Sequence, residues 1–152
     1  MANTCSVYLT LDFDNEVKKE ATIMDLNQLN NIANIEDSGI FIGESRYLFD
    51  AEVSDNGPFS MSVQGWTKWD VGSRAVLEFY NRYLQHRGIT SFLLEYEEAS
   101  DMLFGQFYTE GDRIYLKHLP HNDEAWGACN EDNYYDNLEV ALDNGGVISV
   151  IN

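Results

Sequence analysis

Side chains that could bind a metal ion gather near residue 120. Nitrogen, oxygen and sulfur donors, a mixture found in zinc and iron sites, lie here within twelve residues. They are His118, His121, Asp123, Glu124 and Cys129. Pro120 separates the two histidines and prevents the regular helix that would align them. The chain also lacks C-x-x-C and H-E-x-x-H motifs, so a polar loop without metal is the favoured interpretation.

Nucleophilic catalysis has little support in the sequence. Cys5 precedes an apolar strand, where a thiol is usually a small core residue, and burial disfavours the reactive thiolate. No G-x-S-x-G motif and no phosphate-binding G-x-x-x-x-G-K-[ST] loop is present. We therefore assign no catalytic residue, no cofactor and no metal, and we predict that the protein is not an enzyme.

Carboxylates dominate the chemistry of the chain. Its 152 residues contain 26 Asp and Glu against nine Lys and Arg, a formal net charge of −17. Such a chain repels nucleic-acid phosphates and anionic lipids, so direct binding to DNA, RNA or membrane is the least favoured class of function. It attracts basic partners instead, and nucleic-acid-binding proteins are prominent among them.

The acids are grouped on predicted elements. Alternation over residues 91–97 places Glu95 and Glu97 on one strand face, opposite Phe92, Leu94 and Tyr96. A second group recurs at i, i+4, i+7 and i+11, which places it within about 60° on a helix. Its members are Asp132, Asp136, Glu139 and Asp143. Like charges at this spacing cost about 0.2–0.5 kcal/mol per pair, which suggests that the negative field has a use.

We predict that these acids form a partner-binding surface with two tyrosines at its rim, since Tyr is enriched in binding hot spots. The predicted residues are Glu95, Glu97, Glu98, Asp101, Asp132, Asp136, Glu139, Asp143, Tyr134 and Tyr135. The alternative is a solvated face that is acidic only for solubility.

Hydrophobic patterns predict the elements that position these residues. Alternation predicts strands over 6–13, 47–53, 59–66 and 91–97, and a hairpin joining 104–109 to 113–117. Helical spacing predicts helices over 25–35 and 73–86, with Asp25 and Ser73 as N-caps, and a third over 132–143. A short strand over 147–151 follows. The order predicts an α+β fold over 1–118, an antiparallel sheet with helices on one face, with 119–152 as an acidic extension packed on it.

Three segments carry a family resemblance. MANTCSVYLTLDFD begins with Asn3, Cys5 and Ser6 in a Met-x-Asn-x-Cys-Ser pattern. GWTKWDVGSRAVLEFYNRYL contributes Trp66 to Asp70, and LLEYEEASDMLFGQFYTEGDRI contributes Tyr96, Glu97 and Gly105. These segments resemble the Api92-like proteins of phages and plasmids, which have a YubB-type ferredoxin-like domain, although Val7 replaces the family's usual Asn. The resemblance implies a ferredoxin-like fold and a mobile-element origin, and it transfers no catalytic residue.

Charge and resemblance together predict an anti-defence inhibitor. We expect it to bind a basic nucleic-acid-binding host protein, a CRISPR effector or a restriction enzyme, by presenting carboxylates in place of phosphates. A non-enzymatic structural or adaptor protein of the phage, acidic for solubility, is the alternative. A small enzyme or ligand-binding module using His118 and His121 is a third hypothesis. The absence of a secretory signal and of an apolar run of about 18 residues predicts a cytoplasmic location.

Overall fold

The computed structural model describes residues 4–32, 40–43, 46–68, 71–84, 86–98, 102–120, 135 and 137–151. Within these ranges the chain is an α+β structure. The strands are β1 (Thr4–Phe13), β2 (Ile40–Gly43), β3 (Arg46–Asp55), β4 (Ser60–Lys68), β5 (Ile89–Glu98), β6 (Leu103–Glu110), β7 (Arg113–His118) and β8 (Val147–Val150). The helices are α1 (Glu16–Ile32), α2 (Ser73–Phe79), which continues as a π-helical turn over Tyr80–Leu84, and α3 (Leu138–Gly145).

All strands belong to one antiparallel arrangement in the order β2-β3-β4-β1-β5-β6-β7-β8. The segment containing α1 leads from β1 towards β3, and the segment containing α2 leads from β4 to β5. In each case the two joined strands are separated by one other strand of the sheet. The predicted α+β class, the hairpin and the strands over 6–13, 47–53, 59–66, 91–97 and 147–151 are confirmed, whereas β2 was not predicted.

Alternation in β1 builds the main core. Val7, Leu9 and Leu11 are almost fully buried because successive strand residues point to opposite faces and theirs is covered. On this face the core includes Leu26 of α1 and Phe79 of α2. We call this face, with α1 and α2, the helix side of the sheet.

Helix α1 begins well before the predicted 25–35 helix. The side-chain Oδ1 of Asn15 accepts a hydrogen bond of 3.1 Å from the backbone N–H of Lys18, which is the capping interaction at this end. Asp25 lies inside the helix, so its predicted role as the N-cap is wrong. The prediction of Ser73 as a cap is also wrong, because Gly72 occupies the N-cap of α2 and no side chain caps it.

A buried lysine ties α1 to the turn between β3 and β4. Lys19 is only 2% exposed, and its Nζ donates hydrogen bonds of 2.6 Å each to Asp55 Oδ1 and to the Gly57 carbonyl oxygen. The hydrogen bond from Lys19, followed by one from the Gly57 backbone N–H, lowers the pKa of the Asp55 carboxyl below its ordinary value of 3.8. The folded state therefore stabilises the ionised form of the Asp55 carboxyl more than the unfolded chain does.

The stabilisation that Asp55 provides should disappear in acid. Because the folded pKa lies below the unfolded one, this stabilisation is complete above the unfolded pKa and is lost as the pH falls through the folded pKa. We expect Asp55→Asn to unfold at lower temperature than the wild type at pH 7, and the difference to close as the pH falls below 3.8. Thermal unfolding followed by circular dichroism across this range measures it. A difference that persists unchanged well below that pH would contradict this role.

Tyr96 and Gly105 come into close contact across β5 and β6, where they pair in register. A Cβ atom at position 105 would collide with the Tyr96 ring. The glycine of the third resembling segment is therefore required by the tyrosine of the same segment, which is 5% exposed and belongs to the main core.

Helix α3 packs on the sheet face opposite α1 and α2. Phe104 and Phe107 are an odd number of residues apart on β6 and so point to opposite faces. Phe107 joins the main core, whereas Phe104 packs against Ala141 and Leu142 of α3. The resulting second cluster contains Met102, Phe104, Leu119, Ala141 and Leu142, with Tyr135 and Leu138 packed against it. The C-terminal segment thus adds both a helix and the edge strand β8 to the structure.

The predicted start of the third helix at residue 132 is wrong. Asn137 has an extended backbone, with φ −151° and ψ 166°, and its side chain accepts a hydrogen bond of 3.0 Å from the Val140 backbone N–H. Asn137 is therefore the N-cap, and the helix begins at Leu138. Of the four acids predicted to share a helix face, Glu139 and Asp143 lie on α3, and Asp132 and Asp136 lie outside the described residues.

Candidate functional site

The sheet face that carries α3 also presents side chains of three central strands. We call the side chains on β4, β1 and β5 of this face the open face. Three cross-strand rows make it up: Trp66, Ser6 and Glu97; Gln64, Tyr8 and Glu95; and Ser62, Thr10 and Leu93. Tyr8 is 41% and Trp66 44% exposed, so this face presents both acids and aromatic rings to solvent.

A groove of about 440 Å³ lies where α3 meets the open face. Four carboxylates line it: Glu95 and Glu97 from β5, and Glu139 and Asp143 from α3. Lys117 contributes one ammonium group, Gln106 and Asn137 contribute amides, and Leu138 and Leu142 contribute apolar surface. We call this the acidic groove.

Local structure explains why these acids converge. Glu95 and Glu97 alternate with the buried Leu94 and Tyr96 on β5, so both point away from the main core. The Nε2 atom of Gln106, the register partner of Glu95 on β6, donates a hydrogen bond of 3.2 Å to Glu95 Oε2. This bond restrains one carboxylate at the wall of the groove.

The α3 carboxylates are positioned by packing on their own helix. Ala141 and Leu142 are buried against the second cluster. Glu139 and Asp143 are one turn apart, exposed, and line the groove. The second cluster therefore determines where half of the groove carboxylates lie.

On the helix side of the sheet, described basic residues form ion pairs with acids. Four ion pairs each involve a residue of α1 or of the α2 segment and its continuation. They join Lys18 to Asp14 (3.7 Å), Lys19 to Asp55 (2.6 Å), Arg82 to Glu78 (3.9 Å) and Arg87 to Asp25 (2.6 Å). Four acids, Asp14, Asp25, Asp55 and Glu78, therefore each have a basic partner.

On the groove side of the sheet, the described side chains of β5 to β7 include two bases. Among the described side chains on β5 to β7 of this face, the bases are Lys117 in the groove and Arg113 at the start of β7, in register with Glu110. Four carboxylates facing one ammonium leave the groove net negative. A cation or a basic surface is the ligand that such a field favours.

Comparisons with protein-family models, with curated proteins and with solved structures each find no match for this chain. The geometry and charge of the groove are therefore the basis for assigning a function, and the Api92-like resemblance stays a prediction.

The structure brings together four of the ten predicted site residues, namely those that line the acidic groove. Glu98 follows Glu97 on β5 and so belongs to the opposite face, away from the groove. Tyr135 is half-buried against the second cluster, so part of its ring packs against the cluster instead of facing a partner. Asp101, Asp132, Tyr134 and Asp136 lie outside the described residues.

Several residues of this face were not identified from the sequence. Tyr8, Trp66, Gln106 and Lys117 all lie on it or in the groove. Further along the same face, the rings of Tyr108 and Tyr115 stack with centroids 5.5 Å apart. Strand alternation could have placed Tyr8 on the polar face of β1, but strand register is needed to place it beside Glu95.

The metal hypothesis can be examined only at His118, because its other donors lie outside the described residues. Among all the residues that the structure describes, no group of three or more His, Cys, Asp or Glu side chains could hold a metal ion. His118 follows Lys117 on β7 and so points away from the groove side.

Cys5 is fully buried in the main core. No described helix is long and apolar enough to span a membrane.

Proposed function

We propose that the protein is an anti-defence inhibitor of a phage or another mobile element that binds a basic nucleic-acid-binding host protein. The observation that carries this proposal is the acidic groove, in which four carboxylates from two separate elements face one ammonium group. The four ion pairs of the helix side support it by contrast, because each of those carboxylates has its own cationic partner, whereas the four groove carboxylates share Lys117.

The mechanism is competition for the surface that normally holds nucleic acid. Glu139 and Asp143 are about 6 Å apart along the helix axis, and Glu95 and Glu97 about 7 Å apart along the strand. These intervals are of the same order as the phosphate spacing of a nucleic-acid strand, about 3.4 Å along the axis per nucleotide. Lys and Arg side chains that grip a phosphate backbone meet carboxylates instead, and the bulk of the protein blocks the nucleic acid.

The family and fold belong to the same proposal. We assign residues 1–118 to a ferredoxin-like domain of the Api92-like type, with 119–152 as an extension. The strand order β3-β4-β1-β5, with one helix in each of the two long connections, supports the ferredoxin-like assignment. The cytoplasm is the proposed location, because CRISPR effectors and restriction enzymes, the proposed targets, act there.

Inhibition should weaken steeply as the salt concentration rises. The screening length falls from about 10 Å at 0.1 M to about 3 Å at 1 M salt. Attraction between solvent-exposed charges therefore weakens as salt is added, more than attraction between buried charges does. We expect DNA cleavage by a targeted CRISPR effector or restriction enzyme to be inhibited at about 50 mM salt and largely restored at about 300 mM. The nuclease alone at each salt concentration is the control.

Two outcomes would contradict the proposed function. Inhibition that is independent of salt would require an interface other than the acidic groove. If no nucleic-acid enzyme is inhibited, and affinity purification from host cells yields phage proteins, the structural or adaptor function would replace the inhibitor function.

A further inference from the structure

We infer that the open face, together with the acidic groove, docks an arginine-bearing surface of a basic protein and selects arginine over lysine. The selection comes from Tyr8, which pairs directly with the groove residue Glu95, and from Trp66, which lies in the same cross-strand row as Glu97. This inference rests on the proposed function and names the chemistry by which its partner is recognised.

The two aromatic side chains are exposed to solvent on the open face. Neighbouring residues on their strands, such as Val7 on β1 and Thr67 on β4, are almost completely buried. Tyr8 and Trp66 instead expose 41% and 44% of their surface on the other face. Tyr and Trp are the residue types most enriched in binding hot spots, together with Arg.

Strand register relates each ring to one groove carboxylate, across one strand spacing for Tyr8 and across two for Trp66. Tyr8 pairs directly with Glu95 across β1 and β5, which brings their Cβ atoms within about 5.5 Å. Ser6 pairs with Trp66 on one side and with Glu97 on the other, so this second ring and carboxylate are two strand spacings, about 10 Å, apart. The residue between them, Ser6, has a small side chain.

An arginine side chain fits this pairing of ring and carboxylate better than a lysine does. Its planar guanidinium can stack on an aromatic face while its N–H groups donate to a carboxylate in a bidentate manner. The lysine ammonium is a compact and strongly hydrated charge that lacks the planar fork. A guanidinium group lying on Tyr8 would reach Glu95, and Trp66 offers a second ring on the same face for a neighbouring arginine.

Charge decides what kind of partner occupies this face. Nucleic acid and anionic lipid are repelled by the groove carboxylates, and a second copy of the chain brings another −17. Glu52 of β3 extends the acidic character of the face, since it pairs with Gln64 in the row of Tyr8. A basic protein surface is the occupant that complements both the acids and the exposed rings.

Two peptides of equal charge test the selection. We would measure binding of nona-arginine and nona-lysine to the full chain by isothermal titration calorimetry at low salt. Nona-arginine is expected to bind about 3–30-fold more tightly, the range that cation–π contacts span. The double variant Tyr8→Ala/Trp66→Ala should remove this preference and leave the affinity for nona-lysine within about twofold.

Three variants make the result specific. Tyr8→Phe/Trp66→Phe keeps both rings and should retain the preference, even if the alanine variant is less stable. Phe59→Ala removes another exposed aromatic ring, 55% exposed and just outside β4, and should leave the preference unchanged. Glu139→Gln/Asp143→Asn should weaken both peptides alike.

Equal binding of the two peptides by the wild type, with both weakened by Glu139→Gln/Asp143→Asn, would overturn the arginine selection and leave the proposed function standing. If neither peptide binds at low salt, both the selection and the charge basis of the proposed function are overturned.

Discussion

Neutralising the acidic groove is expected to weaken inhibition of the target nuclease by at least about 100-fold. The variant carries Glu95→Gln, Glu97→Gln, Glu139→Gln and Asp143→Asn. Close charge pairs across protein interfaces have coupling energies of about 1.5–7 kcal/mol, so two pairs at the lower limit account for about 3 kcal/mol. Since each 1.4 kcal/mol changes affinity about tenfold, this loss exceeds two decades. Inhibition constants in a cleavage assay at fixed salt measure it.

A matched pair of double variants separates the groove from total charge. Glu139→Gln/Asp143→Asn removes two exposed acids one turn apart on α3, and Glu16→Gln/Glu20→Gln removes two exposed acids one turn apart on α1. Both relieve like-charge repulsion of about 0.2–0.5 kcal/mol, so both should fold. We expect roughly tenfold weaker inhibition for the α3 pair and less than about twofold for the α1 pair. Equal losses would mean that overall charge, and not the groove, drives binding.

Phe104→Ala should destabilise the protein and displace α3. Phe104 is 1% exposed and packs against Ala141 and Leu142 in the second cluster. Removing such a buried ring costs about 3–5 kcal/mol. Because these contacts hold α3 on the sheet, Glu139 and Asp143 should no longer line the groove, and inhibition should fall. Urea denaturation and the cleavage assay measure the two effects.

Phe107→Ala is the control for Phe104→Ala. Phe107 lies on the same strand and is fully buried in the main core, on the helix side. Its loss should cost a similar 3–5 kcal/mol without touching α3. Under conditions where circular dichroism shows both variants folded, Phe107→Ala should inhibit normally and Phe104→Ala should not. Normal inhibition by Phe104→Ala would show that the position of α3 is unimportant.

The strands were predicted more accurately than the start of α1, because their buried positions are apolar and alternate along the chain. Alternation identifies the buried face of β1 without knowledge of what covers it. The start of α1 was missed because two of its buried positions are polar, Lys19 and Thr22. Burial of Lys19 is favourable only because Asp55 and the Gly57 carbonyl accept its hydrogen bonds, and these partners are 36 and 38 residues away in the chain.

The β5 half of the candidate site was predictable from alternation. Alternation alone places Glu95 and Glu97 on one face of β5. Their meeting with Glu139 and Asp143 depends on the packing of α3 over β6 and β7, which no local pattern specifies. The late start of α3 did have a local signal, since Asn137 is a favoured N-cap residue. Of the ion pairs on the helix side, Lys19–Asp55 and Arg87–Asp25 join residues distant in sequence, whereas Lys18–Asp14 and Arg82–Glu78 are i,i+4 pairs.

The salt dependence of inhibition by the groove variant tests the central claim most directly. The logarithm of the inhibition constant would be plotted against the logarithm of salt concentration for three proteins: the wild type, the fourfold groove variant and Glu16→Gln/Glu20→Gln. If the acidic groove engages a cationic surface, the slope should be steep for the wild type and the α1 variant and nearly flat for the groove variant. A groove variant that retains the wild-type slope would show that the attraction arises elsewhere on the molecule.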